Sequence, residues 1–506
     1  MTTRSDQAGL PTITHWVAGR RYAATSGRNA LVYDPATGHP TKRLEFASAG
    51  DVSAAVKAAA DAFPGWRGQS ISARQSILFR FRELLAARRR ELAEIITSEH
   101  GKPISDAVGE IERGLKAVEL ACGFPHLATS RFAANFYSGV DAYTIKQPLG
   151  VVAIFSPFNF PATVPLWFCP VAIAAGNTVV LKPSEKDPSA AVWMGERWKE
   201  AGLPDGVYNV LQGDRLAVRG LLDSPVVHSV CFVGAARIAK QIYFSAARRG
   251  KRVQTFGRAK NHMLVLPDAD LSVVADYAVQ SAFGVAGARR LAPSLILAVE
   301  PGADDLRDAI RSRMAKLRVG AGNTDPDVGP LVSAEHRDLA HQYIDTAEHD
   351  GADVVVDGRE LTVDGAPDGF WLGPTLIDKV PVTSGAYAAE VLSPVLSMVR
   401  VRSSREGVDL INSGQFGDSS AIFTQDSDAV RRFQDDIQVG MVSINVPISV
   451  PVAYHAFGGW PGLLFGSAGA DGAQGFDFFT REKVVTWRRW GPAAEAGARI
   501  VLSGDC

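Results

Sequence analysis

From Gly150 onward the chain repeats one unit, a short and mainly apolar run followed by a turn and an amphipathic stretch, and this repeat narrows the possible folds more than any other feature. Apolar runs over 151–155, 178–181, 206–211 and 226–233 are each followed by a helical pattern, beginning at Pro161, Asp187, Arg215 and Ala236. Strands that face water on one side alternate polar and apolar residues, whereas these are mainly apolar without that alternation. They therefore imply a parallel sheet covered by helices on both faces. Ligands in such sheets bind beyond the carboxyl ends of the strands. No Gly-x-Gly-x-x-Gly fingerprint occurs, so the pattern alone leaves dinucleotide binding open.

The flanking regions add two further units. Residues 1–48 read as short strands and turns, and apolar residues at three- and four-residue steps predict helices over 51–63, 72–99 and 103–122. Arg88-Arg89-Arg90 reads as a solvated helix face, and 131–149 suits an extended hairpin. Beyond Pro267-Asp268 a second alternating region has strands over 295–299, 394–401 and 441–444 and helices over 304–316 and 334–350, which predicts a second α/β domain. A chain of 506 residues that is 46% hydrophobic has room for two or three domains. The formal net charge of -1 argues against a nucleic-acid or membrane-surface partner, and apolar runs too short to span a bilayer make the cytoplasm the expected location. Cys122 and Cys169 lie in apolar helical contexts, Cys231 in a strand and Cys506 at the end. Their spacing suits neither a metal site nor a disulfide framework.

The segment Val151-Val152-Ala153-Ile154-Phe155-Ser156-Pro157-Phe158-Asn159-Phe160-Pro161 resembles the aldehyde dehydrogenase superfamily. Pro165-Leu166-Trp167, Lys182-Pro183-Ser184-Glu185-Lys186-Asp187-Pro188, Ala259-Lys260-Asn261-His262-Met263, Pro267-Asp268-Ala269-Asp270 and Asn445-Val446-Pro447-Ile448 are similar to its CoA-acylating methylmalonate-semialdehyde dehydrogenase branch, and the likeness runs over about residues 14–490. The resemblance implies an α/β, aldehyde dehydrogenase-like fold. Its parts would be a Rossmann-like NAD domain (1–129 and 148–265), an α/β catalytic domain (266–445), a small β oligomerisation element (130–147 and 475–490) and a tail (491–506). It also implies a homodimer or homotetramer. Lys182 and Glu185 would hold the adenine ribose, with Lys186 beside them, and a carboxylate at Glu185 would favour NAD over NADP. Ser156, Phe158, Gly234 and Ala235 would line the dinucleotide and Glu390 would hold the nicotinamide ribose. Asn159 would donate to an oxyanion, and Arg113 and Arg289 would grip a substrate carboxylate near Trp167.

Departures from the family pattern gather where the chemistry belongs. Its nucleophile segment, Gly-Gln-Arg-Cys, reads Gly287-Ala288-Arg289-Arg290, its Gly-Ser reads Gly234-Ala235, and its Leu-Gly-Gly reads Phe256-Gly257-Arg258. A guanidinium cannot form a thioester, so use of CoA is not expected, and the changes at Ala235 and Arg258 imply that NAD binding is weakened or lost. If Arg113, Arg258, Arg289 and Arg290 converge, they call for a small carboxylate, phosphate or diphosphate ligand. Three functions stay open. The leading expectation is a repurposed enzyme doing non-redox chemistry on such an anion, with Asn159 and Arg290 at its centre. The alternatives are a non-catalytic NAD- or anion-binding homologue or partner subunit, and a residual NAD-dependent semialdehyde dehydrogenase acting on the aldehyde hydrate.

Overall fold

A computed structural model of the chain describes residues 9–137, 139–257, 260–414, 417, 419–448, 453, 455, 464–466 and 472–488. Its first large sheet has eight strands, in the order Leu464–Phe465, Arg252–Phe256, Val227–Val233, Val151–Phe155, Thr178–Lys182, Tyr208–Val210, His15–Val17 and Arg20–Tyr22. The five from Arg252–Phe256 to Tyr208–Val210 run parallel, and the edges are closed by antiparallel pairs. The chain lays down Val151–Phe155 first, adds two strands on one side, then returns to add Val227–Val233 and Arg252–Phe256 on the other. The direction of winding therefore reverses between Val151–Phe155 and Val227–Val233, which opens a crevice at their carboxyl ends. All five residues of Val151–Phe155 and of Thr178–Lys182 are buried, as strands covered on both faces require.

The expected helices over this sheet form at Thr163–Ala174, Ser189–Glu200, Arg215–Asp223 and Ala236–Ala247. The stretch 72–99, read as one helix, is two, Ile71–Ala87 and Arg89–His100. Arg88 interrupts it with φ -110° and ψ 21°, a conformation that breaks the helical ladder, and its guanidinium meets both carboxylate oxygens of Glu200 at 2.8 Å. The arginine run is thus exposed, but Arg88 and Arg90 carry carboxylate partners, Glu200 and Glu94.

The second sheet has seven strands, Asp353–Val356, Thr375–Asp378, Val395–Val401, Pro293–Val299, Asn261–Val265, Ser419–Phe423 and Met441–Ile444. All neighbours run parallel except the first pair. Asn261–Val265 sits inside this sheet, between Pro293–Val299 and Ser419–Phe423, although the boundary expected at 265 set it on the other side. Its five residues are apolar or buried like those of the first sheet, so burial pattern could not assign it to one sheet or the other. A third, antiparallel sheet joins Phe132–Tyr137, Val140–Pro148 and Thr480–Arg488. Among the described residues no helix is long and apolar enough to cross a membrane.

Candidate functional site

The crevice at the winding reversal holds a cavity of about 220 Å³. Each of three strands contributes the residues just past its carboxyl end: Ser156, Phe158 and Asn159 after Val151–Phe155, Ser184, Glu185 and Lys186 after Thr178–Lys182, and Gly234 and Ala235 after Val227–Val233. Lys182 itself, Arg290 and Leu392 also line it. Nine of the residues singled out in the sequence therefore share one cavity. Lys182 donates to Glu185 at 3.1 Å. Burial opposes ionisation of Glu185, but the charge of Lys182, aided by a backbone N–H and Lys186, holds its carboxyl below the usual carboxylate range. Lys186 reaches across to the Ser333 hydroxyl at 2.9 Å.

The helix Leu271–Phe283 ends in a tight turn, Gly284–Gly287, where Val285 and Ala286 take φ of 55° and 48°. A left-handed β-branched residue is strained, and it persists only where its surroundings fix it. Here the Asp106 carboxylate accepts from the Val285 N–H at 2.8 Å. At Gly287, φ 74°, an added Cβ would lie 2.0 Å from the Ser393 carbonyl oxygen, so only glycine lets the turn press on the 393 backbone. The turn delivers Arg289 and Arg290 in different directions. Arg289 donates to Asp106 at 2.7 Å. Arg290 is only 8% exposed, reaches the Gly257 carbonyl at 3.3 Å, and forms part of the cavity wall next to Asn159. Asn261 anchors the backbone below it, donating to the carbonyls of Arg290 and Ala292 at 2.7 and 3.2 Å.

Asn159 is buried and its amide donates to the Ala288 carbonyl at 2.8 Å, which ties the loop after the first strand to the 287–290 turn. Behind it, Lys102 donates to the Asn159 carbonyl at 2.8 Å and to Glu110 at 2.7 Å, and both charged side chains are wholly buried. The other Glu110 oxygen accepts from the N–H groups of Ala162 and Thr163. Arg113 lies over the Phe160 ring, 5.7 Å from its centroid. Burial lowers its pKa, Glu110 opposes that shift, and the charge of Arg289 adds to it.

A second, smaller cavity of about 10 Å³ is lined by Arg289, Arg290, Ser294, Glu390 and Ser393, among others, so Glu390 and Arg290 do meet at one place. Trp167 is half-buried on Thr163–Ala174 and lines neither cavity. Arg258 lies outside the described residues. The expected convergence of four arginines is therefore not what the described residues form. Asp106 takes Arg289, Arg113 stacks on Phe160, and of these three described arginines Arg290 reaches the large cavity. The described cysteines offer no nucleophile in its place. Burial pushes the Cys122 thiol up to about 11 and raises those of Cys169 and Cys231 as well.

Residues 22–485 match the aldehyde dehydrogenase family. The chain belongs to that family. It is 43% identical to the malonate-semialdehyde dehydrogenase of Pseudomonas aeruginosa, over 95% of this chain and 97% of that one. Among solved structures, the methylmalonate-semialdehyde dehydrogenase of Oceanimonas doudoroffii superposes with a TM-score of 0.93 at 44% identity, covering 96% of this chain and 99% of that one. A Sinorhizobium meliloti 1021 protein assigned as a methylmalonate-semialdehyde dehydrogenase and crystallised with NAD superposes with a TM-score of 0.94 at 41% identity, over 96% and 100%. These relatives are named as dehydrogenases across the length they share with this chain. That finding overturns the expectation of non-redox chemistry on an anionic ligand, which rested on arginine standing in place of the family's cysteine and on the four arginines.

Sequence reasoning missed the acids that answer those arginines. Asp106, Glu110 and Arg113 fall at steps of four and three on the helix Ile104–Cys122, and so on one face. That spacing was a readable signal that the arginine had carboxylate neighbours. Lys102, which precedes the helix, gave no such signal.

Proposed function

We propose that this chain is an NAD-dependent oxidoreductase that converts a short, carboxylate-bearing semialdehyde of the malonate-semialdehyde class to the acid, by way of the aldehyde hydrate. The observation that carries the reading is Arg113. The half-buried side chain lies over the ring of Phe160, which follows the cavity residue Asn159 in sequence, and no hydrogen-bond acceptor serves it among the described residues. A planar fork of this kind suits a carboxylate, which it grips bidentately.

The residues present fit the cofactor. Ser156 Oγ is buried beside the cavity with no partner among the described residues, and Ala235 begins the helix Ala236–Ala247 without a side-chain cap. A hydroxyl and uncapped first-turn N–H groups at one cavity suit a pyrophosphate. Lys182 and Glu185, on the wall of the same cavity, would take the adenine ribose hydroxyls, and Glu390 would take the second ribose. Replacing Glu185 by Ala should weaken NAD by up to about tenfold, the equivalent of one hydrogen bond, and narrow the preference over NADP. Isothermal calorimetry with both dinucleotides checks this, and an unchanged ratio would remove Glu185 from the ribose.

Bound NAD would supply the hydride acceptor for the hydrate's C–H electron pair, and going from hydrate to carboxylate would release both hydroxyl protons to solvent. With arginine at 290 and the described thiols buried, water takes the part of the nucleophile. No thioester forms, and CoA is not consumed. Asn159 and Arg290 present donors to the hydrate oxygens as negative charge gathers there. The third sheet supports a homodimer or homotetramer, since Phe132, Phe136, Val484 and Trp487 are 54–71% exposed on it.

The test is Arg113→Ala assayed by NADH formation. The KM for malonate semialdehyde should rise about ten- to a hundredfold, matching one charged contact of about 1.5–3 kcal/mol, while turnover of neutral propanal stays unchanged. Equal loss with both aldehydes would remove the carboxylate from Arg113. NAD binding with no NADH formed from any semialdehyde would place the chain among non-catalytic homologues.

A further inference from the structure

The small cavity beside Arg290 brings together three buried polar atoms. Ser294 Oγ, Ser393 Oγ and Arg289 Nε all border it, and each is buried without a hydrogen-bond partner among the described residues. Ser393 as a whole is 2% exposed. One such atom would be an ordinary imperfection, but three around a single cavity specify a ligand by their chemistry. Leaving each unmet would cost about as much as a broken hydrogen bond, so native structures rarely tolerate a group of them.

Size and charge select that ligand. The cavity measures about 10 Å³, close to the least space that holds one water and far below that of a carboxylate or phosphate. A metal or ammonium cation is excluded by the Arg289 N–H and the neighbouring Arg290 guanidinium, which present only donors and positive charge. A bare anion would face the Glu390 carboxylate on the same wall. Water meets every demand. It accepts from Arg289 Nε–H and from one serine hydroxyl, and donates to the other serine.

We infer that a single internal water bridges Arg289 Nε, Ser294 Oγ and Ser393 Oγ. Its partners come from two segments that also reach the large cavity: 289–294, which bears Arg290, and 390–395, which bears Leu392. The water therefore adds a side-chain tie between those segments, which are otherwise joined by backbone, where Gly287 presses on Ser393 and where Pro293–Val299 pairs with Val395–Val401. The inference is independent of whether the chain turns over a semialdehyde, because it rests on packing and hydrogen bonding alone.

The sign of a stability change tests it. If the hydroxyls were dry, Ser294→Ala and Ser393→Ala would each delete an unmet polar group, and the melting temperature would hold or rise. If they bind water, each substitution strips it of a partner, and the melting temperature of the full chain should fall by about 1–3 °C. The double variant should fall by less than the sum, since both hydroxyls serve one water and share its loss. Additive changes, or increases, overturn the inference. A crystal structure of the unaltered chain gives the second measurement: one ordered water within hydrogen-bond distance of both serines is expected, and an anion, a cation or no density there overturns it.

Discussion

Replacing Lys102 by Met should destabilise the protein by about 3–5 kcal/mol, the typical cost of removing one partner from a buried ion pair. The pair is enclosed, with both Lys102 and Glu110 at 0% side-chain exposure and 2.7 Å between Nζ and Oε2. Without the ammonium, the Glu110 carboxylate would remain in a low-dielectric interior, held only by the N–H groups of Ala162 and Thr163. The usual remedy, replacing both charges by apolar residues, should fail here. A Lys102→Met, Glu110→Met variant leaves those two N–H groups and the Asn159 carbonyl without partners, each at about 1–3 kcal/mol. Chemical denaturation of the single and double variants checks this. A double variant that regains the stability of the unaltered chain would show that the pair is dispensable packing and not the support of the 159–163 loop.

Much of the architecture was open to sequence reasoning because it depends on period and continuity. Four apolar runs with helices between them imposed a covered parallel sheet, and the residues after strands 151–155, 178–182 and 227–233 had to meet at its carboxyl edge. Ser156, Asn159, Lys182, Glu185 and Ala235 do so. The arginines were harder. Sequence placed Arg289 and Arg290 side by side, but their directions depend on Val285 and Ala286 adopting left-handed backbone, a choice with no local signature in either residue. That turn sends Arg289 to Asp106, 183 positions away in sequence, and Arg290 to the cavity. Counting cations without the acids opposite them is what suggested an anion-binding enzyme. The third-sheet pairing of 480–488 with 140–148 was likewise a long-range contact, accessible only through family resemblance.

The same turn underlies the second large effect. Arg290→Ala should reduce semialdehyde-dependent NADH formation by about a hundred- to a thousandfold, the usual cost of one donor aimed at developing oxyanion charge. The guanidinium is 8% exposed, so solvent screens it little and water cannot readily replace it once lost. Arg290→Lys keeps the charge but not the planar fork and should recover only part of the rate. The dissociation constant for NAD should move by less than about tenfold in both variants, because Lys182, Glu185 and Ser156 lie on other parts of the wall. In the unaltered protein, incubation with malonate semialdehyde and NAD should leave the intact mass unchanged, since burial keeps the Cys122, Cys169 and Cys231 thiols protonated at neutral pH. An acyl adduct on any cysteine would restore a thioester route and overturn the hydrate route. Full turnover by Arg290→Ala would instead put this arginine outside the reaction, leaving Asn159 as the donor from the loop that Lys102 supports.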